Sequence, residues 1–219
     1  MPPMTEAALR RAMVAAAMAM TARGLNQGTS GNLSVRLADG GFLITPSGIT
    51  PDRLVPDDIV RMAADGSHRH ARAPSSEWRI HRDLLRLRPD VGAVVHAHPT
   101  YATVLAIRGM AIPAVHYMIA AAGGSTIRCA PYATFGSQAL SDHAVEALRG
   151  RLACLLANHG MIALGPTLER ALWLAGEVET LARQYVLSLL LGGPNILPDD
   201  EIARVAALFE DYGPKSESS

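Results

Sequence analysis

Two short apolar runs, each ending in histidine, limit what this chain can fold into more than any other feature. The first, Val91-Gly92-Ala93-Val94-Val95, closes in His96-Ala97-His98. The second, Leu152-Ala153-Cys154-Leu155-Leu156-Ala157, ends in Asn158-His159-Gly160. Apolar runs of this length, bounded by turn residues, read as buried strands. Side chains at i and i+2 of a strand share a face, so His96 and His98 aim two imidazoles at one point. His159, at the end of the second run, can supply a third. Three neutral imidazoles with an open coordination position is the arrangement of a catalytic zinc-type site. The sequence therefore predicts a mononuclear metal centre built at strand ends.

An absence narrows the chemistry further. The only lysine is Lys215, in a polar stretch near the end of the sequence. Schiff-base chemistry needs a lysine whose amine is desolvated or set beside another cation, and Lys215 has neither setting. If the protein makes carbanions, a metal has to be the electron sink.

With 219 residues, 49% of them apolar, the chain can bury a full core as one domain. Its formal charge is zero, which argues against nucleic acid as a partner because phosphate backbones demand a basic face. Cys129 and Cys154 form no CxxC pair and read as reduced thiols of a cytoplasmic protein. The segment Ala12–Ala22, after Arg10-Arg11, imitates a signal peptide. Glu6 and the helical spacing of Leu9, Met13, Ala16, Ala17 and Met20 instead predict an amphipathic helix capped by Thr5. No stretch is long and apolar enough to span a membrane.

The remaining pattern intersperses strands and helices. A hairpin is expected over Leu33–Leu37 and Gly41–Ile44, turning at Asp39-Gly40, with another strand from Asp57 to Met62. Helices are expected from Ser75 or Ser76 to Arg88, over Thr100–Arg108, Ser141–Arg149, Thr167–Leu191 and Asp199–Tyr212. Met110–His116 reads as a strand and Ile119–Gly124 as a close-packed small-residue segment. Hairpins among interspersed helices predict an α/β layer fold with a largely antiparallel or mixed sheet.

Three segments share a composition: Gly28-Thr29-Ser30-Gly31-Asn32, Thr45-Pro46-Ser47-Gly48 and Pro74-Ser75-Ser76. Each combines hydroxyls or an amide with turns that expose backbone N–H groups, which bind phosphate without formal positive charge. Taken singly, each is an ordinary turn; together they form an anion site only if they meet in space. Glu77 directly follows the serine pair. Its position leaves two readings open, a helix-dipole carboxylate or a group that reaches the metal as ligand or proton carrier.

These segments, with Pro74–Arg79, Val94–His98, Ile112–Gly124, Cys129–Gly136 and Ala157–Gly160, resemble the class II aldolase/adducin family, in particular its fuculose-phosphate branch. The resemblance implies a single domain over 1–213, with α/β/α layers and a mostly antiparallel central sheet, followed by a polar tail, 214–219. It implies that His96, His98, His159 and Glu77 hold a divalent ion, usually zinc, with manganese or cobalt as alternatives. Thr29, Asn32, Ser47, Gly48, Ser75 and Ser76 would bind the phosphate of a ketose 1-phosphate. Glu77 and Tyr117 would be catalytic, Tyr117 acting across a subunit boundary of a homotetramer, and Phe135 and Tyr212 would shape the aldehyde end. The implied reaction is reversible cleavage of a ketose 1-phosphate of the L-fuculose type to dihydroxyacetone phosphate and a short aldehyde.

Within the same family, salvage aldolases for 5-deoxyribulose or 5-methylthioribulose 1-phosphate are the nearest alternative. A methylthioribulose-1-phosphate dehydratase and a sugar-phosphate 4-epimerase follow. The epimerase branch carries Asp where this chain has Glu77, which turns the reading away from it. A non-catalytic adducin-like scaffold would show loss of the histidines, and all three are present.

Overall fold

A computed structural model describes residues 4–211, so Tyr212 and the polar stretch 214–219 lie outside the described residues. Helix α1 (Glu6–Ala22) begins at Thr5, whose hydroxyl accepts the Ala8 N–H at 3.3 Å. It buries Met13, Ala16, Ala17 and Met20, the spacing of a one-sided helix. Strands β1 (Asn32–Arg36) and β2 (Phe42–Ile44) form the expected hairpin. Its turn works because Gly40 adopts a φ of 85° and the Asp39 carboxylate accepts the Gly41 N–H. Strand β3 (Val60–Met62) pairs with β2.

The chain continues through α2 (Trp78–Leu87), β4 (Ala93–Ala97), α3 (Thr100–Ile107), β5 (Arg128–Ala130) and α4 (Gln138–Ala147). Strands β6 (Ala153–Leu156) and β7 (Gly160–Gly165) are followed by α5 (Leu168–Leu190) and α6 (Asp199–Asp211). The seven strands make one sheet in the order β3-β2-β1-β4-β7-β6-β5. Every neighbouring pair is antiparallel except β5 with β6, so the sheet is mixed and mostly antiparallel, as expected.

Strand alternation sorts the core into two layers. Leu33, Val35, Ala93, Val95, Met161 and Ala163 pack with α1, α3 and α5. Val94, Cys154, Leu156, Ile162 and Leu164 pack with α2 and α4. Burying side chains of this size contributes about 1.5–3 kcal/mol each, which is why such short strands hold when both faces are covered. The alternation also places His96, two residues after Val94, on the α2 side of the sheet. The two cysteines fall in different layers and are free thiols. Among the described residues, no helix is long and apolar enough to cross a membrane.

Several expected elements differ. Met110–His116 is not a strand: only Ile112 bridges Ile127, because Pro113 has no N–H to continue a ladder. The segment after it is a 3-10 turn over Tyr117–Ala122 that ends at Gly123, φ 85°. The first half of the Asp57–Met62 strand is a 3-10 turn, Pro56–Asp58, because the Asp58 carboxylate folds back onto the Val55 N–H at 3.1 Å. Helix α4 starts earlier than Ser141, with Ser137 as its cap. Neither Ser75 nor Ser76 caps α2; Glu77 holds the cap position with its carboxylate turned away from the helix amides.

Candidate active site

The three hydroxyl-rich turns do meet in space. Pro46 bridges Pro74, Ser47 N–H donates to Ala73 C=O at 3.0 Å, and Ser75 N–H donates to Thr45 C=O at 3.0 Å. The Thr45 hydroxyl accepts the Leu33 N–H at 3.2 Å, tying this pair of turns to β1 just beyond the glycine loop. Gly31 is required in that loop: with φ 77°, a Cβ there would lie 2.0 Å from Asn26 Nδ2. Asn26 in turn accepts the His98 N–H at 3.0 Å, so the loop is braced against the histidine strand.

Together they line one end of a cleft of about 420 Å³, through Thr29, Ser30, Asn32, Ser47, Gly48, Ser75 and Ser76. Glu77, His98 and His159 line it next to these turns, and Tyr132, Phe135 and Asn158 complete it. Phe135 is held over the cleft by its neighbour Gly136, whose C=O accepts from Arg79 at 2.9 Å and where a Cβ would strike the Ser76 carbonyl at 2.8 Å.

The three histidines converge. One ring nitrogen from each of His96, His98 and His159 lies within 4.8 Å of the others. His96, fully buried, places its Nδ1 2.9 Å from the Met161 carbonyl, so Nδ1 carries a proton and Nε2 is the nitrogen turned toward the cluster. His159 is delivered by the tight turn between β6 and β7, where Asn158 takes a left-handed φ of 54° and donates its N–H to Ala106 C=O of α3. Gly160 makes room for His98: a Cβ there would lie 2.5 Å from the His98 ring and 2.4 Å from Ala97 O.

Glu77 completes the cluster. Its Oε2 lies 2.9 Å from His96 Nε2 and accepts from Asn32 Nδ2 at 3.0 Å; its Oε1 lies 3.2 Å from His159 Nε2. Burial opposes ionisation of this carboxyl, but His96, His159 and Asn32 outweigh it and hold it well below the usual carboxylate range. Burial likewise lowers His98 to about 3 and His159 to about 4, leaving both rings neutral. His96 is raised, its burial being overcome by the Glu77 carboxylate.

This donor set fits a divalent metal ion. A tetrahedral ion with bonds of about 2.0–2.1 Å sets its ligands about 3.3 Å apart, and the spacings here are 2.8 Å between His96 and His98 and 2.9–3.2 Å to Glu77. Glu77 Oε1 is buried without a hydrogen-bond partner, a cost that a cation removes.

Among the described residues, one predicted site residue lies away from both the cleft and the histidine cluster. Tyr117 starts the 3-10 turn, is 47% exposed, and stacks on His116 and near Phe209 outside the cleft of its own chain. Tyr212 lies outside the described residues. Sequence reasoning missed Tyr132 and Asn158, which line the cleft, and it gave no role to His81. That residue is fully buried and contacts Asn32 Oδ1 at 2.5 Å and Ser34 Oγ at 2.7 Å.

Comparison with known proteins agrees with this geometry. Residues 11–186 match the family profile described as the class II aldolase and adducin N-terminal domain. A Rhodospirillum rubrum protein, 5-methylthioribulose-1-phosphate/5-deoxyribulose-1-phosphate aldolase, is 56% identical over 96% of this chain and 95% of its own. The L-fuculose phosphate aldolase of Escherichia coli is 50% identical over 94% of this chain and 95% of its own. A solved L-fuculose 1-phosphate aldolase superposes with a TM-score of 0.89 at 41% identity, over 92% of this chain and 95% of that one. Matched over nearly its whole length in sequence and fold, the chain belongs to the class II aldolase/adducin family and is a class II sugar-phosphate aldolase, an aldehyde-lyase.

Proposed function

We propose that this aldolase is a salvage enzyme acting on 5-deoxyribulose 1-phosphate or 5-methylthioribulose 1-phosphate. It cleaves the C3–C4 bond to give dihydroxyacetone phosphate and a two-carbon aldehyde bearing hydrogen or a methylthio group. The observation that carries this choice is the 56% identity with the relative named for those two sugars, against 50% with the one named for L-fuculose phosphate. The exposed rings of Tyr132 and Phe135 support it, since an apolar aldehyde tail packs there without leaving a polar group unpaired. The L-fuculose type, which the sequence alone put first, becomes the second reading.

Each residue then has a role. His96, His98 and His159 would hold one divalent ion with Glu77 as the fourth ligand, and zinc suits such a set better than manganese or cobalt. When bound, the ion supplies Lewis-acid charge for the electron pair released as C3–C4 breaks. Thr29, Asn32, Ser47, Gly48, Ser75 and Ser76 hold the phosphate and keep C3 in register, an orientation effect worth up to about 7–11 kcal/mol. Glu77, ionised in the free enzyme, takes a proton from C3 of dihydroxyacetone phosphate in condensation and returns it in cleavage. Tyr117 takes the C4 hydroxyl proton as the aldehyde forms. It lies outside its own chain's cleft, and the family resemblance implies that it serves a neighbouring subunit of a homotetramer. Phe135 and Tyr212 belong to the aldehyde end.

Release of dihydroxyacetone phosphate, followed with a coupled dehydrogenase, tests this on fuculose, ribulose, 5-deoxyribulose and 5-methylthioribulose 1-phosphates. The two deoxy or methylthio sugars are expected to give the highest kcat/KM. A higher value for fuculose 1-phosphate reverses the order of the two readings. No release from any sugar by metal-loaded enzyme moves the reading to the dehydratase or epimerase branch.

A further inference from the structure

A chain of buried hydrogen bonds runs from helix α2 to the carboxylate of Glu77, and its proton arrangement is fixed by chemistry alone. The amide nitrogen of Asn32 faces the Glu77 carboxylate and donates to its Oε2 at 3.0 Å. The Asn32 oxygen therefore points to the other side, where His81 Nε2 lies 2.5 Å away. An amide oxygen can only accept, so Nε2 must carry the His81 proton. The neutral ring then has a bare Nδ1, which accepts from the Ser34 hydroxyl at 2.7 Å. His81 and Ser34 are both 0% exposed, so water cannot substitute for either partner.

Strand geometry explains the chain. Asn32 and Ser34 are two residues apart in β1 and share the face that looks at α2, while His81 lies in the second turn of α2, one turn beyond Glu77. We infer that His81 is a positioning residue: by donating to Asn32 it sets the Asn32 amide so that nitrogen, not oxygen, faces Glu77. A flipped amide would put its oxygen against the carboxylate and turn the repulsion of two acceptors into the ground state of the site. Asn32 also lines the cleft, so the same orientation leaves its second amide proton as the group it offers there. This inference rests on the roles proposed above, Glu77 as the proton carrier and Asn32 as a phosphate contact.

Two measurements test it. The first needs no activity: ¹⁵N shifts of His81 in the folded, metal-loaded protein are expected to show a protonated Nε2 and a bare Nδ1. The opposite tautomer overturns the inference. The second compares His81→Gln with His81→Leu. A glutamine amide nitrogen reaches the position of Nε2 and keeps the donor to Asn32, whereas leucine has none. His81→Leu is expected to lose at least tenfold in kcat at unchanged metal content, and His81→Gln to recover most of it. In an Asn32→Ala background, His81→Leu is expected to cost no further loss. Equal kcat for the two His81 variants, or full additivity with Asn32→Ala, overturns the inference. If His81→Leu does not fold, the tautomer and the His81→Gln rate decide alone. A wild-type enzyme that releases no dihydroxyacetone phosphate counts against the functional reading and leaves the tautomer result standing.

Discussion

Asn32 and His96 sit opposite one another across β1 and β4, and both reach the same oxygen of Glu77, at 3.0 and 2.9 Å. One register position of the sheet thus fixes one carboxylate oxygen from two strands. The other, Oε1, stays without a hydrogen bond beside His159. The hydroxyl-rich turns and the histidine cluster are therefore joined through Glu77, besides the tie that Asn26 makes to His98.

The unsatisfied oxygen and three facing imidazoles make metal binding a stability term. Protein stripped with chelator is expected to unfold at lower temperature than protein with zinc restored. At a thousandfold excess of free ion over Kd the gain is about 4 kcal/mol. His96→Ala is expected to abolish the zinc-dependent rise in Tm; an equal rise in that variant would show that the ion binds elsewhere.

The exposure of Tyr117 predicts a separation of stability from activity. Tyr117→Phe is expected to keep the wild-type Tm within about 1 °C, because loss of an exposed hydroxyl changes stability by less than ~0.5 kcal/mol. Its kcat is expected to fall about 10²–10⁴-fold, the range of a lost proton-transfer group. Co-expression of Tyr117→Phe with His96→Ala chains is expected to restore part of the activity, since each supplies what the other's site lacks. No recovery in mixed oligomers would place Tyr117 outside the neighbouring site.

Two glycines give opposite predictions. Gly160→Ala puts a methyl 2.4 Å from Ala97 O and 2.5 Å from the His98 ring. It is expected to cost about 1–3 kcal/mol in urea unfolding and to weaken metal binding. Gly176→Ala, inside α5 with nothing within 4 Å of the new methyl, is expected to stabilise by about 0.5–1 kcal/mol with unchanged kinetics.

Much of this site was legible in the sequence because strands have a period of two. His96, His98 and His159 were placed by the ends of two apolar runs, and the three hydroxyl-rich turns by their shared hydroxyls and glycines. The role of His81 was not legible. It falls on the same helical stripe as Leu84, which reads as core, while its partners Asn32 and Ser34 are 49 and 47 residues away in the chain. Strand β5 was missed because three residues, two of them partly exposed, carry no periodicity. Met110–His116 was misread because an apolar run with alternation resembles a strand until Pro113 removes the ladder donor.

Burial of His81 also sets a pH dependence. Its ring is pushed from 6.5 down to about 3, mainly by burial and secondarily by His96. Below 6.5 the unfolded chain binds a proton that the folded chain refuses, so this contribution is intact above 6.5 and is lost as pH falls toward 3. One pH unit below the unfolded value costs about 1.4 kcal/mol. Urea midpoints at pH 7.5 and 5.5 are expected to fall further for wild type than for His81→Gln. An equal fall in both would assign the acid sensitivity to other groups.

The most direct test of the account is exchange of the C3 proton of dihydroxyacetone phosphate with solvent, without any aldehyde, by wild type and Glu77→Gln. Metal content is measured on the same samples. The account predicts exchange by wild type and a loss of about 10²–10⁴-fold in Glu77→Gln with the ion still bound by His96, His98 and His159. Wild-type exchange rates in metal-loaded Glu77→Gln would contradict it, because the proton at C3 would then be moved by another group.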